Sequence, residues 1–195
     1  MIAFYNPLPH EVVLKGKRYE LTPTHHNVLR MYDAIQGIDY AAQVDIMLHY
    51  LVKGKYPLSP ELLDAIQAVL FPNVKQNNKK VFDFVQDSEL IYAAFMQTYR
   101  IDLVDTPIHW WKFQALMSGL PSTTRFSEVV QIRSMDIPKP TKFNAEERQR
   151  IIRLKHDYAL HQSAEEREKN LQEGLKKILA SLMQRVDDGR RSSNI

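Results

Sequence analysis

Apolar positions along this chain recur mostly at helical spacing. Leu62, Leu63, Ile66, Val69 and Leu70 mark one helix face, and Leu90, Ile91, Ala94, Phe95 and Tyr99 mark another. Start and stop residues bracket these runs. Ser59-Pro60-Glu61 predicts a helix start, with serine as the cap and proline where a missing N–H costs nothing; Pro72 ends that run. Asp39 predicts the cap of a helix carrying Ala42, Val44, Ile46, Met47, Tyr50 and Leu51, closed by Gly54. Thr22-Pro23 predicts the start of an earlier helix through Val28, Leu29, Tyr32 and Ile35, ending at Gly37.

The stretch Phe82 to Met135 holds both tryptophans and predicts three more helices. Their starts are Asp87-Ser88-Glu89, Thr106-Pro107 and Thr124. The middle one, roughly Pro107 to Ser118, is apolar nearly all round, which predicts a helix at the centre of the core. Gly119 stands where a left-handed cap belongs, and Pro121 prevents continuation. The third carries Phe126, Val129, Val130 and Ile132 and stops before Pro138 and Pro140. Trp110 and Trp111 fit either an aromatic stacking platform or a core anchor. Their apolar neighbours favour core anchors, together with Phe113 and Phe95.

One stretch alternates as a sheet does. Val12 to Leu14, then Lys15-Gly16-Lys17, then Arg18 to Leu21 predicts a β-hairpin. A lone hairpin is marginal in water, so it must dock on helices or on a partner. The fold expected is therefore mainly α: a compact multi-helix domain with one small N-terminal β-hairpin and a long C-terminal helix.

Residues 1–140 are expected to form the helical domain, with a possible sub-boundary at the polar segment 73–80. Residues 141–186 are expected to form a C-terminal helical extension, opened by a capping-box-like Asn144 and Glu147, and residues 187–195 a flexible tail. Ile151, Ile152, Leu154, Tyr158 and Leu160 are placed to pack back on the core. After a polar segment, Leu171, Leu175, Ile178, Leu179, Leu182, Met183 and Val186 line one stripe. That stripe either takes a partner, another copy included, or folds back on its own core.

Composition narrows the chemistry. A net charge of +3 does not argue for nucleic-acid binding. The absence of cysteine removes disulfides and thiolate metal sites. No secretory signal is expected, and the longest apolar runs fall far short of the ~20 residues a membrane span needs. Six scattered glycines form no phosphate cradle, and no nucleophile motif occurs. His25 and His26 are adjacent, so on a helix they are expected to diverge rather than face one ion. Asp83 with Asp87, and Asp102 with Asp105, can hold a hard cation but sit where acids cap helices. Neither a catalytic centre, a metal nor a cofactor is expected.

The strings FDFVQDSELIYAAFMQTYRIDL, HWWKFQALMSGLP and TRFSEVVQIRSMDIPK resemble the bacteriophage gene-product-fifteen family of siphovirus-type phages and prophages. The similarity runs from near the N-terminus through the Tyr158 region. It implies a tail morphogenesis protein in the host cytoplasm, a tail assembly chaperone absent from the mature virion. Its implied partners are the tape-measure protein and the tail-tube protein. A component retained in the finished tail is the alternative, with a nucleic-acid binder or metal-dependent enzyme third.

Overall fold

The computed structural model describes residues 6–72 and 80–161. Two strands and seven helices lie among them. These are β1 (Glu11–Leu14), β2 (Lys17–Glu20), α1 (His25–Ala34), α2 (Tyr40–Leu51), α3 (Pro60–Leu70), α4 (Ser88–Tyr99), α5 (Trp110–Ser118), α6 (Arg125–Ser134) and α7 (Ala145–Asp157). The fold is mainly α. The chain divides into two compact units, Met1–Tyr158 and Ala159–Ile195. All the named elements belong to the first. The 73–79 part of the polar segment and the stripe Leu171–Val186 lie outside the described residues.

β1 and β2 pair antiparallel, with Val12 opposite Tyr19 and Leu14 opposite Lys17. Lys15 and Gly16 both take positive φ, 48° and 78°, as a two-residue turn matched to strand twist requires. Val12 and Tyr19 are buried on one side, where β1 packs against α3. The hairpin is also sewn to the end of α2: Thr22 N–H donates to Leu51 O, and Lys53 N–H donates to Glu20 O, both at 2.9 Å.

Three expected caps are in place. Asp39, Ser59 and Thr124 accept from the N–H groups of Ala42, Leu62 and Ser127. Two starts fall elsewhere. Thr24, not Thr22, caps α1. Thr22 instead gives its hydroxyl to Tyr50 O at 3.1 Å. The α5 cap is His109, not Thr106, because Pro107 and Ile108 are held in an extended bridge to α1's entry. His25 N–H donates to Ile108 O at 2.8 Å and Trp110 N–H to Pro23 O at 2.7 Å. Asp87 and Asn144 begin α4 and α7 without side-chain cap bonds, since their polar atoms are engaged elsewhere. Gly119 has φ −91° and is not left-handed. A Cβ there would meet Tyr99 Oη at 3.1 Å, so closeness rather than handedness favours glycine. The left-handed residue that closes a helix is Arg100, φ 58°, after α4.

Nor is α5 apolar on every side in its setting. Trp110 and Phe113 are buried, Trp111 is half-buried, and Lys112, Gln114 and Ala115 face solvent. The core gathers round Phe113. His25, Phe95 and Trp110 lie near-parallel to its ring at centroid distances of 5.2, 5.3 and 5.4 Å. The two tryptophans diverge. Trp110 enters this stack, whereas Trp111 turns to α3 and donates its indole N–H to Leu70 O at 2.8 Å.

At the other end of the domain α4 packs on α6, and α6 packs on α7. Arg133 of α6 donates to both carboxylate oxygens of Asp87 at 2.6 and 3.0 Å and to Tyr158 O at 2.6 Å. Asp87 also accepts from Asp83 N–H at 2.9 Å. Lys155 of α7 donates to Arg133 O and Met135 O at 2.7 and 2.6 Å, meeting the exposed carbonyls at the end of α6. None of α7's side chains is fully buried. The helix ends at Asp157, so the long C-terminal helix expected from Asn144 onward stops there within the described residues.

Candidate functional site

α1 carries more apolar residues than one core-facing stripe needs. Val28 and Met31 are buried, while Leu29, Tyr32 and Ile35 continue round the helix. The surplus borders two hollows, one on each flank. Toward α3 lies a cavity of about 860 Å³, walled by Val28, Leu29, Met31, Ile35, Met47, Phe71, Phe84 and Trp110. Tyr32, Asp64, Gln67 and Ala68 stand at its exposed edge. Toward α4 lies a second, of about 520 Å³, lined by His25, His26, Leu29, Arg30, Phe84, Glu89, Ile91, Tyr92, Leu103 and Val104 among others. Leu29 and Phe84 line both, so together the hollows form an apolar trough interrupted by two side chains.

Phe84 is placed by a tied loop. Asp83 accepts from Val85 N–H and Gln86 N–H at 2.9 and 3.0 Å, and Asp87 is fixed by Arg133. Burial pushes the Asp83 carboxyl up, but bonds from Lys80, Gln86 and Val85 outweigh it and hold the group below its ordinary value. Phe84 then meets Phe82 edge-on at 5.1 Å and Trp110 at 6.1 Å. Trp110 Nε1 is buried with no acceptor among the described residues, so this ring serves the wall by its apolar faces.

The far end of the trough is fastened by histidines. His25 Nε2–H donates to Leu103 O at 3.0 Å, while its Nδ1 accepts from Ile108 N–H at 3.2 Å. His26 Nε2–H donates to the same carbonyl at 2.6 Å. The adjacent imidazoles therefore converge, with ring centroids 4.2 Å apart, where divergence was expected. In the first turn of α1 the ring nitrogens farthest from the backbone both reach the neighbouring loop, where Leu103 O has two lone pairs to accept them. His109 uses the same neutral tautomer: Nδ1 accepts from Trp111 N–H and Nε2–H donates to Pro9 O, both at 3.1 Å. Burial lowers the pKa of His25 and of His109, and nearby His26 and His10 lower them further, against their backbone bonds.

The acidic pairs do not converge. Asp87 is taken up by Arg133, and Asp102 accepts from Val104 N–H, Asp105 N–H and the Tyr92 hydroxyl. No group of three or more metal-ligating side chains occurs among the described residues. Trp110, Trp111, Phe113 and Phe95 lie in or against the core, with Trp110 and Phe113 also forming trough walls. The partner stripe Leu171, Leu175, Ile178, Leu179, Leu182, Met183 and Val186 lies outside the described residues. Pattern reading named Val28, Leu29, Tyr32 and Ile35 as a face but not the trough beside them. The available signal was the width of that face, which with Met31 exceeds the stripe a single packed neighbour covers.

The described residues thus form a small, mainly α scaffold with apolar hollows on its surface. The family model for Bacteriophage Gp15 protein matches residues 4–160, and the chain belongs to that family. No curated protein and no solved structure matches it.

Proposed function

We propose that the protein is a phage tail assembly chaperone, which binds the tape-measure protein and helps recruit tail-tube subunits. Membership of a phage family supplies the setting. The observation that carries the reading is the apolar trough beside α1, open to solvent and walled by Met31, Met47, Leu29, Phe71 and Phe84. An amphipathic client helix lays its apolar face into such a groove, and methionine walls adapt to more than one sequence. A long helical client offers many similar segments. Many weak contacts then hold an array of chaperones while each contact stays exchangeable. The protein acts in the host cytoplasm and leaves before the virion is complete.

Co-expression with the tape-measure protein tests this. The client is expected to stay soluble and to co-purify, and A68W, which fills the exposed mouth of the α3-side hollow, is expected to reduce co-purification at least tenfold. A client equally insoluble with and without the protein sinks the reading. Abundant protein in the mass spectrum of purified virions would instead make it a retained tail component. Removing residues 162–195 asks whether the stripe Leu171–Val186 adds client or self-association contacts; unchanged client solubility and oligomer size would remove it from the mechanism.

A further inference from the structure

Phe143 is 97 % exposed, the highest value among the exposed large hydrophobic residues described. Its turn is tied. Thr141 N–H donates to Asn144 Oδ1 at 2.8 Å, Asn144 Nδ2–H donates to Lys139 O at 2.9 Å, and α7 follows directly. Pro138 and Pro140 restrict the backbone before it. Lys139 and Lys142, both exposed, precede Phe143 in the connector, and Ile137, 44 % exposed, adds apolar surface. The connector thus presents an exposed aromatic knob directly after two lysines.

The α3-side hollow has the opposite character. It is concave and apolar, Tyr32 stands at its edge 58 % exposed, and Asp64 lies exposed on the same edge. We propose that Phe143 of one copy seats in the α1–α3 hollow of a second copy, its ring beside Tyr32 and Phe71 and the two preceding lysines toward Asp64. The exposure of Phe143 shows that it does not fill the hollow of its own copy. Knob and hollow are different surfaces, so each copy offers one of each and the contact runs head to tail.

Area sets the strength. A phenylalanine ring buries on the order of 200 Å². A lasting interface buries at least about 1,200 Å². The contact is therefore weak and concentration-dependent. It covers the hollow while no client is present and yields to a client helix with more area to bury. The displacement step rests on the chaperone reading; the head-to-tail contact does not.

Sedimentation velocity of the full chain over a hundredfold concentration range tests it. Average mass is expected to rise with concentration in the unaltered protein. F143S and A68W, both at exposed positions, are each expected to weaken association at least tenfold. An equimolar mixture of F143S and A68W is expected to form pairs, because one supplies the intact hollow and the other the intact knob. D64K is expected to weaken association, and a D64K chain is expected to pair again with a K139E/K142E chain. F143S that associates like the unaltered protein, or a mixture that forms no pairs, overturns the proposal. F143S should still hold the tape-measure protein. An unaltered protein that associates head to tail but does not hold the tape-measure protein would instead count against the chaperone reading alone.

Discussion

Around Phe113 and at the α6–α7 end the same small domain is held by opposite means. Phe113 is packed among rings at 5.2 to 5.4 Å, and the hydrogen bonds of His25 run outward to the loop, not across the stack. At α7 the order reverses. Half-buried aliphatic side chains give modest apolar contact, while Arg133 and Lys155 make the specific bonds. Apolar packing is non-directional and little affected by salt, whereas an ion pair fixes geometry and carries a heavy penalty once one partner is gone. The trough takes its walls from the first kind of packing, and the loop carrying Phe84 takes its position from the second.

F113A should give the largest effect, costing about 4 kcal/mol for a fully buried aromatic truncated to a methyl. The denaturant midpoint would measure it, and a change below 1 kcal/mol would displace Phe113 from the centre of the core. R133M should cost about 3 kcal/mol, because the Asp87 carboxylate, 3 % exposed, is left buried without its cation. D87N combined with R133M should recover part of that loss; additive losses would mean that the pair is uncoupled. W111F should cost about 1 kcal/mol, the value of one hydrogen bond, here to Leu70 O. K155M should be of similar or smaller size and appear locally, as faster amide exchange at the end of α7 and the end of α6.

The smallest effect is the titration of the dry side. His25 and His109 have lowered pKa values when folded, so between those values and the ordinary ~6.5 the unfolded chain binds more protons. Stability is then full above about pH 6.5, falls as pH drops from there toward the folded values, and levels off below them. Chemical denaturation at pH 7.5 and 5.5 measures the slope, which H25Q and H109Q should flatten. An unchanged slope in both variants would mean that neither imidazole is held neutral.

Local signals located the elements well where the local partner was the one used. Asp39, Ser59 and Thr124 each cap the helix that follows, and Gly16 sits in the hairpin turn. The misplaced starts share one cause. Thr22-Pro23 and Thr106-Pro107 have the composition of helix starts, yet Thr22 and Pro23, and Ile108 just after the second pair, are engaged in bonds to residues far along the chain. No window of sequence contains both partners of His25 N–H and Ile108 O. Asp87 was readable as an acid at a helix start, but not as the seat of Arg133, 46 positions away. The trough was half legible: its residues could be named as apolar, but a hollow depends on how far apart three helices stand.

Leu103 O receives two imidazole N–H groups, from His25 and from His26. A doubly hydrogen-bonded carbonyl stretches at lower frequency than one with a single donor. An isotope-edited infrared band from labelled leucine at this position would therefore sit to the red of its neighbours. Acidification, which would draw Ile108 N–H away from His25, should move that band before the bulk of the helices melts, giving the loop its own spectroscopic clock.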